Sequence, residues 1–375
     1  MASGDHDFIS ENLKARVTIP ILPSLGRFEK YLRKSFERKW LSNFGPCYEE
    51  LKSSLGSYLR APNIELFSSG TQALTCGLRN LGVSGEIITT PFTFPATVNA
   101  IRWAGLKPVF ADIDKKTLTI SPGSVESLID KNTRAILGVD VYGNRCNHAE
   151  LSRIADAHGL KLAYDSAHSF SPEMFSLTDN FSGDFHMISF HATKLFHTCE
   201  GGALVFENSE RSEELKRLQN FGFTGEDSFI EAGTNAKMSE LHAAMGLAVL
   251  DEVEIERTHR AELAKVYRSI FQGDSSICIH PLEEFSASYT YFTLLFDSEQ
   301  GSEKRELAYS KLIENGYGAR RYFNPLCCDV KCHSDSRRCT LETAKWAVSR
   351  VLCLPLHSYV SIEDAEKIAQ VVMES

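Results

Sequence analysis

The stretch IELFSSGTQALTCGLRNLGVSGEIITT, residues 64–90, sets the pattern from which the fold follows. IELFSS reads as a strand, and GTQALTCGLRNLG as a helix that Gly82 closes. EIITT is a second strand. A strand, a helix and a strand in this order make the crossover unit that joins parallel neighbours.

Downstream the unit repeats. FPATVNAIRWAG is a short helix ending at Gly105, KPVFADID a strand, SPGSVESLID a helix and RAILGVDVYG a strand. NHAELSRIADAHG is a helix with Asn147 as its N-cap and Glu150 in the first turn, and KLAYDSAH is the next strand. Strands apolar along their length, separated by helices, predict an α/β fold with a mostly parallel sheet covered on both faces. After Gly183 the pattern changes. DFHMISFH and GGALVFE stand close enough to be neighbouring strands, which suggests a hairpin-like insertion. Residues 237–271 read as one long helix, and the last hundred residues as a smaller α+β domain with strand ASYTYFTLLF and helices SEKRELAYSKLIENG and SIEDAEKIAQVVMES. The expected division is an N-terminal arm at 1–19, a large domain at 20–250 and a small one at 251–375, the last boundary falling inside the long helix.

Composition narrows the function. The 375 residues suffice for two packed domains, and a net charge of -9 argues against nucleic acid as the partner. No stretch approaches the roughly 18 apolar residues of a membrane span, and the polar start lacks the apolar core of a secretory signal. Ten cysteines without a regular framework suit a reducing compartment. The expectation is a cytoplasmic protein. CCDVKCHSDSRRC, with Cys327, Cys328, Cys332, His333 and Cys339, has the residue types for zinc but no C-x2-C pair, so a mobile loop of free thiols is expected and no metal site.

In open α/β sheets ligands bind beyond the carboxyl ends of the strands, so the polar residues there are the ones to collect. Ser69, Gly70 and Thr71 open a helix, where free amides attract an anion; the same residues also serve as an ordinary helix cap. Asp165 ends a buried strand with His168 just beyond it. A buried carboxylate needs a partner, for which a protonated ring nitrogen serves, although capping a neighbouring loop would satisfy it too. Ser189 and His191 share one side of a strand, and Lys194 lies in the turn after it. Near apolar walls such a lysine has a depressed pKa and attacks carbonyl groups; in an open loop it is a plain surface cation. An anion cradle, a carboxylate and an amine at the ends of strands are together what pyridoxal 5'-phosphate requires. Phe94, in PFTFPAT, supplies a ring to stack on it.

The chain resembles the nucleotide-sugar aminotransferases of the DegT/DnrJ/StrS family, which are fold-type I pyridoxal phosphate enzymes. The resemblance runs from about Ile19 to the C-terminus through SSGTQAL, TPFTFPATVNAI, KPVFADID, YDSAHSF, SFHATK, EGGALV, GTNAKM and LCLPLH, in that order. It implies that Lys194 bonds the cofactor aldehyde, that Asp165 partners the ring nitrogen and that His168 lies beside the phenolic oxygen. It further implies phosphate contacts from Gly70, Thr71 and Ser189, and stacking by Phe94. Asn235, in GTNAKM, resembles an asparagine that reaches the phosphate held by a second subunit, which implies a homodimer with shared active sites. Tyr164 and Asp140 depart from the family pattern, where Glu and His are common, and Lys237 replaces a frequent Arg.

The activity so implied is transfer of an amino group from an amino acid, L-glutamate by resemblance, to a nucleotide-linked keto sugar, with pyridoxamine 5'-phosphate between the two halves of the reaction. GYGARRYFNPL resembles members that turn dTDP-4-keto-6-deoxyglucose into the 4-amino sugar; amination at C3 is the alternative. His191, Arg320 and Arg321 are candidate substrate contacts, the two arginines being equally readable as surface cations. Dehydratases of this fold have histidine in place of the lysine, so Lys194 speaks against that reaction. A sensor would carry a further domain for which the chain has no room. A nicotinamide dehydrogenase would want G-x-G-x-x-G after the first strand, and SSGTQAL is not that.

Overall fold

The computed structural model describes residues 13–175, 181–282 and 288–375, so much of the N-terminal arm, and the Ala287 that opens the strand ASYTYFTLLF, lie outside the described residues. Two helices that the sequence reading passed over, α1 (Leu25–Glu37) and α2 (Pro46–Leu59), precede the crossover units. Next come β1 (Asn63–Phe67), α3 (Gly70–Asn80), β2 (Glu86–Thr89), α4 (Pro95–Trp103), β3 (Lys107–Phe110), α5 (Pro122–Leu128), β4 (Thr133–Val139), α6 (His148–His158) and β5 (Lys161–Asp165). The middle of the chain holds β6 (Phe185–Ser189), β7 (Gly202–Phe206), α7 (Arg211–Leu218), β8 (Phe223–Gly225), β9 (Ser228–Phe229), α8 (Glu240–Leu250) and α9 (Val253–Phe271). The C-terminal part adds β10 (Ile277–His280), β11 (Phe292–Phe296), α10 (Gly301–Glu314), α11 (Glu342–Val348), β12 (Val351–Leu354) and α12 (Ile362–Met373).

Local signals account for many of these boundaries. The Ser69 hydroxyl accepts from the Gln72 amide at the start of α3, and the Asn147 side chain accepts from the Glu150 amide at the start of α6. Pro95 occupies the first turn of α4, where its missing N–H costs nothing. Gly159 closes α6 at φ 63°, a conformation that favours glycine.

The large sheet has seven strands in the order β1-β7-β6-β5-β4-β2-β3. Six of them run parallel, and β7 runs against both β1 and β6. The pair β6–β7 is therefore no insertion. β7 is wedged into the sheet interior between the first strand and the sixth, which is why all five of its residues are buried. Register fixes which residues meet at the edge: Gly202 lies opposite both Phe67 and Ser189, and Asp165 lies opposite Met187. The end of β1, the end of β5 and the end of β6 thus open on one edge of the sheet.

The expected long helix is two. Ser239 caps the first at Glu240, and a turn at Asp251 and Glu252 separates α8 from α9. Residues near Lys237 are extended instead and bridge to Phe67.

Helices cover both faces of the sheet. Leu51, Leu55, Ala243 and Leu247 pack with Ile188 and Val205 on one side; Leu74, Leu78 and Ile101 pack with Phe185 and Leu204 on the other. Each fully buried Leu or Ile contributes roughly 1.5–3 kcal/mol over its exposed state. A separate cluster joins Tyr267, Phe292 and Leu312 to Leu352 and Ile368 around the antiparallel sheet β10-β11-β12. Between the two lies a shared cluster in which Phe92, Val139 and Tyr142 meet Tyr291, Phe323 and Val351. It brings the C-terminal sheet against the open edge of the large one.

Candidate active site

A cavity of about 310 Å³ lies at this junction. Gly70 and Thr71 from α3, Asp165 at the end of β5 with His168 beyond it, and Ser189 at the end of β6 with Lys194 beyond it all line it. Phe94 at the head of α4, His191 and Arg320 complete the set of expected residues found there. Residues far apart in sequence converge because parallel strands deliver their carboxyl ends to one edge.

The α3 end of the cavity is built by close approach. A Cβ on Gly70 would stand 3.2 Å from Ser189 Cβ and Oγ, and one on Gly202 would stand 2.6 Å from the Gly70 nitrogen and Cα. Glycine at both places lets β7 and the first turn of α3 touch, and leaves the helix amides facing the cavity. Unpaired amides at a helix start, with the hydroxyls of Thr71 and Ser189 beside them, make an anion cradle.

Asp165 is buried, and its two oxygens are held differently. Oδ2 accepts from Thr97 Oγ1 at 2.7 Å and Oδ1 accepts from the Ala167 amide at 3.1 Å. Burial pushes its pKa up, while Thr97, Ala167 and the charge of Lys194 work the other way. Among the described residues no cation lies within ion-pair distance of it. A buried carboxylate that keeps room on a cavity wall and lacks a cation is suited to a cationic ring nitrogen.

His168 accepts a hydrogen bond at Nδ1 from the Tyr142 amide at 3.1 Å, and its ring stacks on Phe323 at 5.7 Å. An amide can only donate, so Nδ1 carries no proton and the neutral ring holds its proton on Nε2. Burial, and then the charge of Lys194, push the His168 pKa well below its ordinary value, which keeps the ring neutral. Its free edge is a hydrogen-bond donor.

The Lys194 amine sits 3.4 Å from the Tyr291 hydroxyl and 5.3 Å from the centre of that ring. Burial lowers its pKa to about 8, against a partial upward pull from Asp165. At neutral pH an appreciable fraction is the free amine, the form that attacks a carbonyl. Cradle, carboxylate and amine therefore fit the phosphate, ring nitrogen and aldehyde of pyridoxal 5'-phosphate.

Two expected residues lie elsewhere. Arg321 turns away from the cavity: its guanidinium covers the Tyr309 ring at 3.8 Å and reaches Glu306 at 3.4 Å. Asn235 is exposed and bridges to Asn220 beside the β8–β9 pair, outside this chain's own cavity. The cysteine-rich stretch is anchored at two points and otherwise largely exposed: Cys327 is buried and donates to the Thr93 carbonyl, while His333 is engaged by Arg102 at 3.0 Å and Asn99 at 3.1 Å. Among the described residues no group of His, Cys, Asp and Glu is arranged to hold a metal ion.

Thr97, Tyr142, Tyr291, Phe323 and Glu200 were not singled out in the sequence. Thr97 was within reach, since it follows Phe94 by one helical turn on α4. At the cavity mouth Glu200 meets His191 at 3.5 Å.

The model of the DegT/DnrJ/EryC1/StrS aminotransferase family matches residues 26–373. A curated relative from Shigella dysenteriae, dTDP-4-amino-4,6-dideoxy-D-glucose transaminase, is 38% identical over 360 residues, covering 96% of this chain and 98% of its own. Among solved structures, DesI in the presence of its TDP-sugar product has a TM-score of 0.88 at 29% identity, over 97% of this chain and 93% of that one. The NtdA structure from Bacillus subtilis with bound cofactor PMP has a TM-score of 0.84 at 26% identity, over 96% and 85%. This chain belongs to the DegT/DnrJ/EryC1/StrS aminotransferase family.

Proposed function

We propose that this aminotransferase uses pyridoxal 5'-phosphate to move the amino group of L-glutamate to C4 of dTDP-4-keto-6-deoxyglucose, releasing the 4-amino sugar and the keto acid. The observation that carries the reading is the convergence of Lys194, Asp165 and the Gly70 cradle on one cavity of about 310 Å³. The name of the Shigella dysenteriae relative supports the choice of sugar and of C4 over C3.

When bound, the cofactor supplies an aldehyde that takes up amino groups and a ring that withdraws electrons from the carbon beside the nitrogen. The α3 amides, Thr71 and Ser189 would hold the phosphate, and Phe94 would pack on the ring. Asp165 would keep the ring nitrogen protonated, and the His168 Nε2–H would donate to the ring oxygen. Lys194 Nζ would hold the cofactor through its aldehyde. As a free amine Lys194 would take the proton from Cα of the donor and would deliver a proton to C4 of the sugar. Arg320 meets the donor carboxylate or the diphosphate, with His191 at the mouth; Arg321 is committed to Glu306 and is left out of the site.

The enzyme is proposed to act as a homodimer, with Asn235 of each copy completing the phosphate site of the other. Its exposure beside an apolar hairpin supports that placement. A reducing compartment, with the cytoplasm as its location, fits ten free thiols among the described residues.

The test is a pair of observations on the purified protein. Glutamate should remove its near-visible absorbance and a keto sugar should restore it. NMR of the product should show nitrogen at C4. Turnover of the 3-keto isomer and not the 4-keto isomer would reject the proposed regiochemistry.

A further inference from the structure

Behind the cavity, on the other side of the Asp165 backbone, lies a buried polar cluster that the reaction above does not use. Asp140 follows the end of β4 and is 2% exposed. Its amide donates to the Asp165 carbonyl at 3.0 Å. Its Oδ2 accepts from Ser166 Oγ at 2.7 Å, and its Oδ1 accepts from the Cys146 amide at 2.9 Å and lies 3.4 Å from His148 Nε2. Ser166 Oγ is also 3.1 Å from His186 Nδ1, and His186 Nε2 donates to the Ser182 carbonyl at 3.0 Å. The Tyr164 ring packs against both imidazoles, 4.0 Å from His148 and 4.7 Å from His186, which are 5.4 Å from each other.

The room for that ring is built in. A Cβ on Gly138 would stand 2.8 Å from Tyr164, and one on Gly183 would stand 3.1 Å from it. Neighbouring residues of a strand face opposite ways, so Tyr164 fills this cluster while Asp165 faces the cavity. Burial pushes the Asp140 carboxyl up, but the bond and charge of His148 and the Cys146 amide outweigh it, leaving the group below the usual carboxylate range. It is thus an ionised acceptor for the Ser166 hydroxyl.

The consequence lies in what Ser166 and the β4 end hold. Ser166 directly follows Asp165, and its carbonyl accepts from the Ser169 amide at 3.0 Å, closing the turn that carries His168. Two residues after Asp140, the Tyr142 amide binds His168. We propose that Asp140 is a positioning residue: through Ser166 and its own amide it clamps the turn from Asp165 to Ser169 to the end of β4, so that the Asp165 carboxylate and the His168 Nε2–H meet the cofactor ring together. The inference rests on the proposed use of pyridoxal 5'-phosphate.

The test uses Ser166→Ala, which removes one hydroxyl, together with Asp140→Asn and the double variant. Two readouts are independent of turnover: the Kd of the apoenzyme for pyridoxal 5'-phosphate, and the pH midpoint of the bound cofactor's near-visible absorbance. Each single variant should raise Kd about tenfold, as loss of a hydrogen bond to a charged group does. Each should also shift the absorbance midpoint, and the double variant should do no more than Asp140→Asn does. A folded Ser166→Ala protein with unchanged Kd and midpoint, or additive effects in the double variant, would overturn the proposal. Failure of the wild-type apoenzyme to bind pyridoxal 5'-phosphate would instead remove the proposed function, and this inference with it.

Discussion

Lys194 is an amine kept where a charge is expensive. Its ordinary pKa of 10.5 falls to about 8 because burial penalises the ammonium, and Asp165 only partly offsets that. The folded chain therefore binds fewer protons than the unfolded chain between those two values, and stability rises with pH across that window. Below about pH 8 the penalty is fully felt. Lys194→Met should then stabilise the apoenzyme at pH 7, by at most about 3 kcal/mol at 1.36 kcal/mol per unit, and the gain should vanish above pH 10. Urea unfolding at the two pH values reads this directly; equal stability of variant and wild type at pH 7 would show that the amine is not held under strain. The same variant should lose at least about a thousandfold in turnover, since in the proposed reaction it removes both the covalent anchor and the proton carrier. A second readout checks the pKa itself: labelling of Lys194 in the apoenzyme by an amine-reactive reagent should rise with a midpoint near pH 8, well before that of surface lysines.

At the scale of elements, the contact between β7 and α3 shapes the end of the cavity where the cofactor phosphate is proposed to sit. Gly202→Ala would drive a methyl group to 2.6 Å from the Gly70 backbone, so the first turn of α3 must shift. Its affinity for pyridoxal 5'-phosphate should fall by about tenfold or more, with a stability loss of about 1–3 kcal/mol. Gly26→Ala on α1, where nothing lies within 4 Å, should leave the affinity unchanged and cost no stability; a normal Kd for Gly202→Ala would refute the cradle. The strands and helices from β1 to β5 were legible because their limits are set locally, by Ser69, Asn147 and the closing glycines. The wedge of β7 between β1 and β6 was not, because pairing Phe67 with Gly202 is a long-range choice with no local mark. The break between α8 and α9 was hidden too, since Asp251 and Glu252 are neither Gly nor Pro. In the site, Lys194 and Asp165 could be found by their position at or after strand ends, whereas Tyr291, just before β11, and Phe323, in the loop after α10, arrive with the C-terminal sheet. Only the packing of that sheet on the large one brings them in.

At the scale of the whole molecule the proposed dimer makes the strongest demand. Phe229 is 70% exposed and Ile230 68%, with Phe221 and Phe223 exposed beside them, on a short β8–β9 pair whose base carries Asn220 and Asn235. A cluster of large apolar side chains on a projecting pair of strands is a surface that a second copy would cover. Replacing Phe229 and Ile230 with Asp should therefore shift the protein toward monomer in sedimentation and reduce cofactor retention at the same time. Shared sites allow a sharper test. Lys194→Ala and Asn235→Ala homodimers each lack one component at both sites, and at limiting cofactor both should be nearly inactive. Unfolded together and refolded, they form mixed dimers in which one site joins an intact Lys194 to an intact Asn235 from the other chain. With random pairing half the dimers are mixed and one of their two sites is complete, so about a quarter of wild-type activity should return. If Asn235 served its own chain's cofactor, the mixed dimers would have no complete site and activity would stay at the level of the parents.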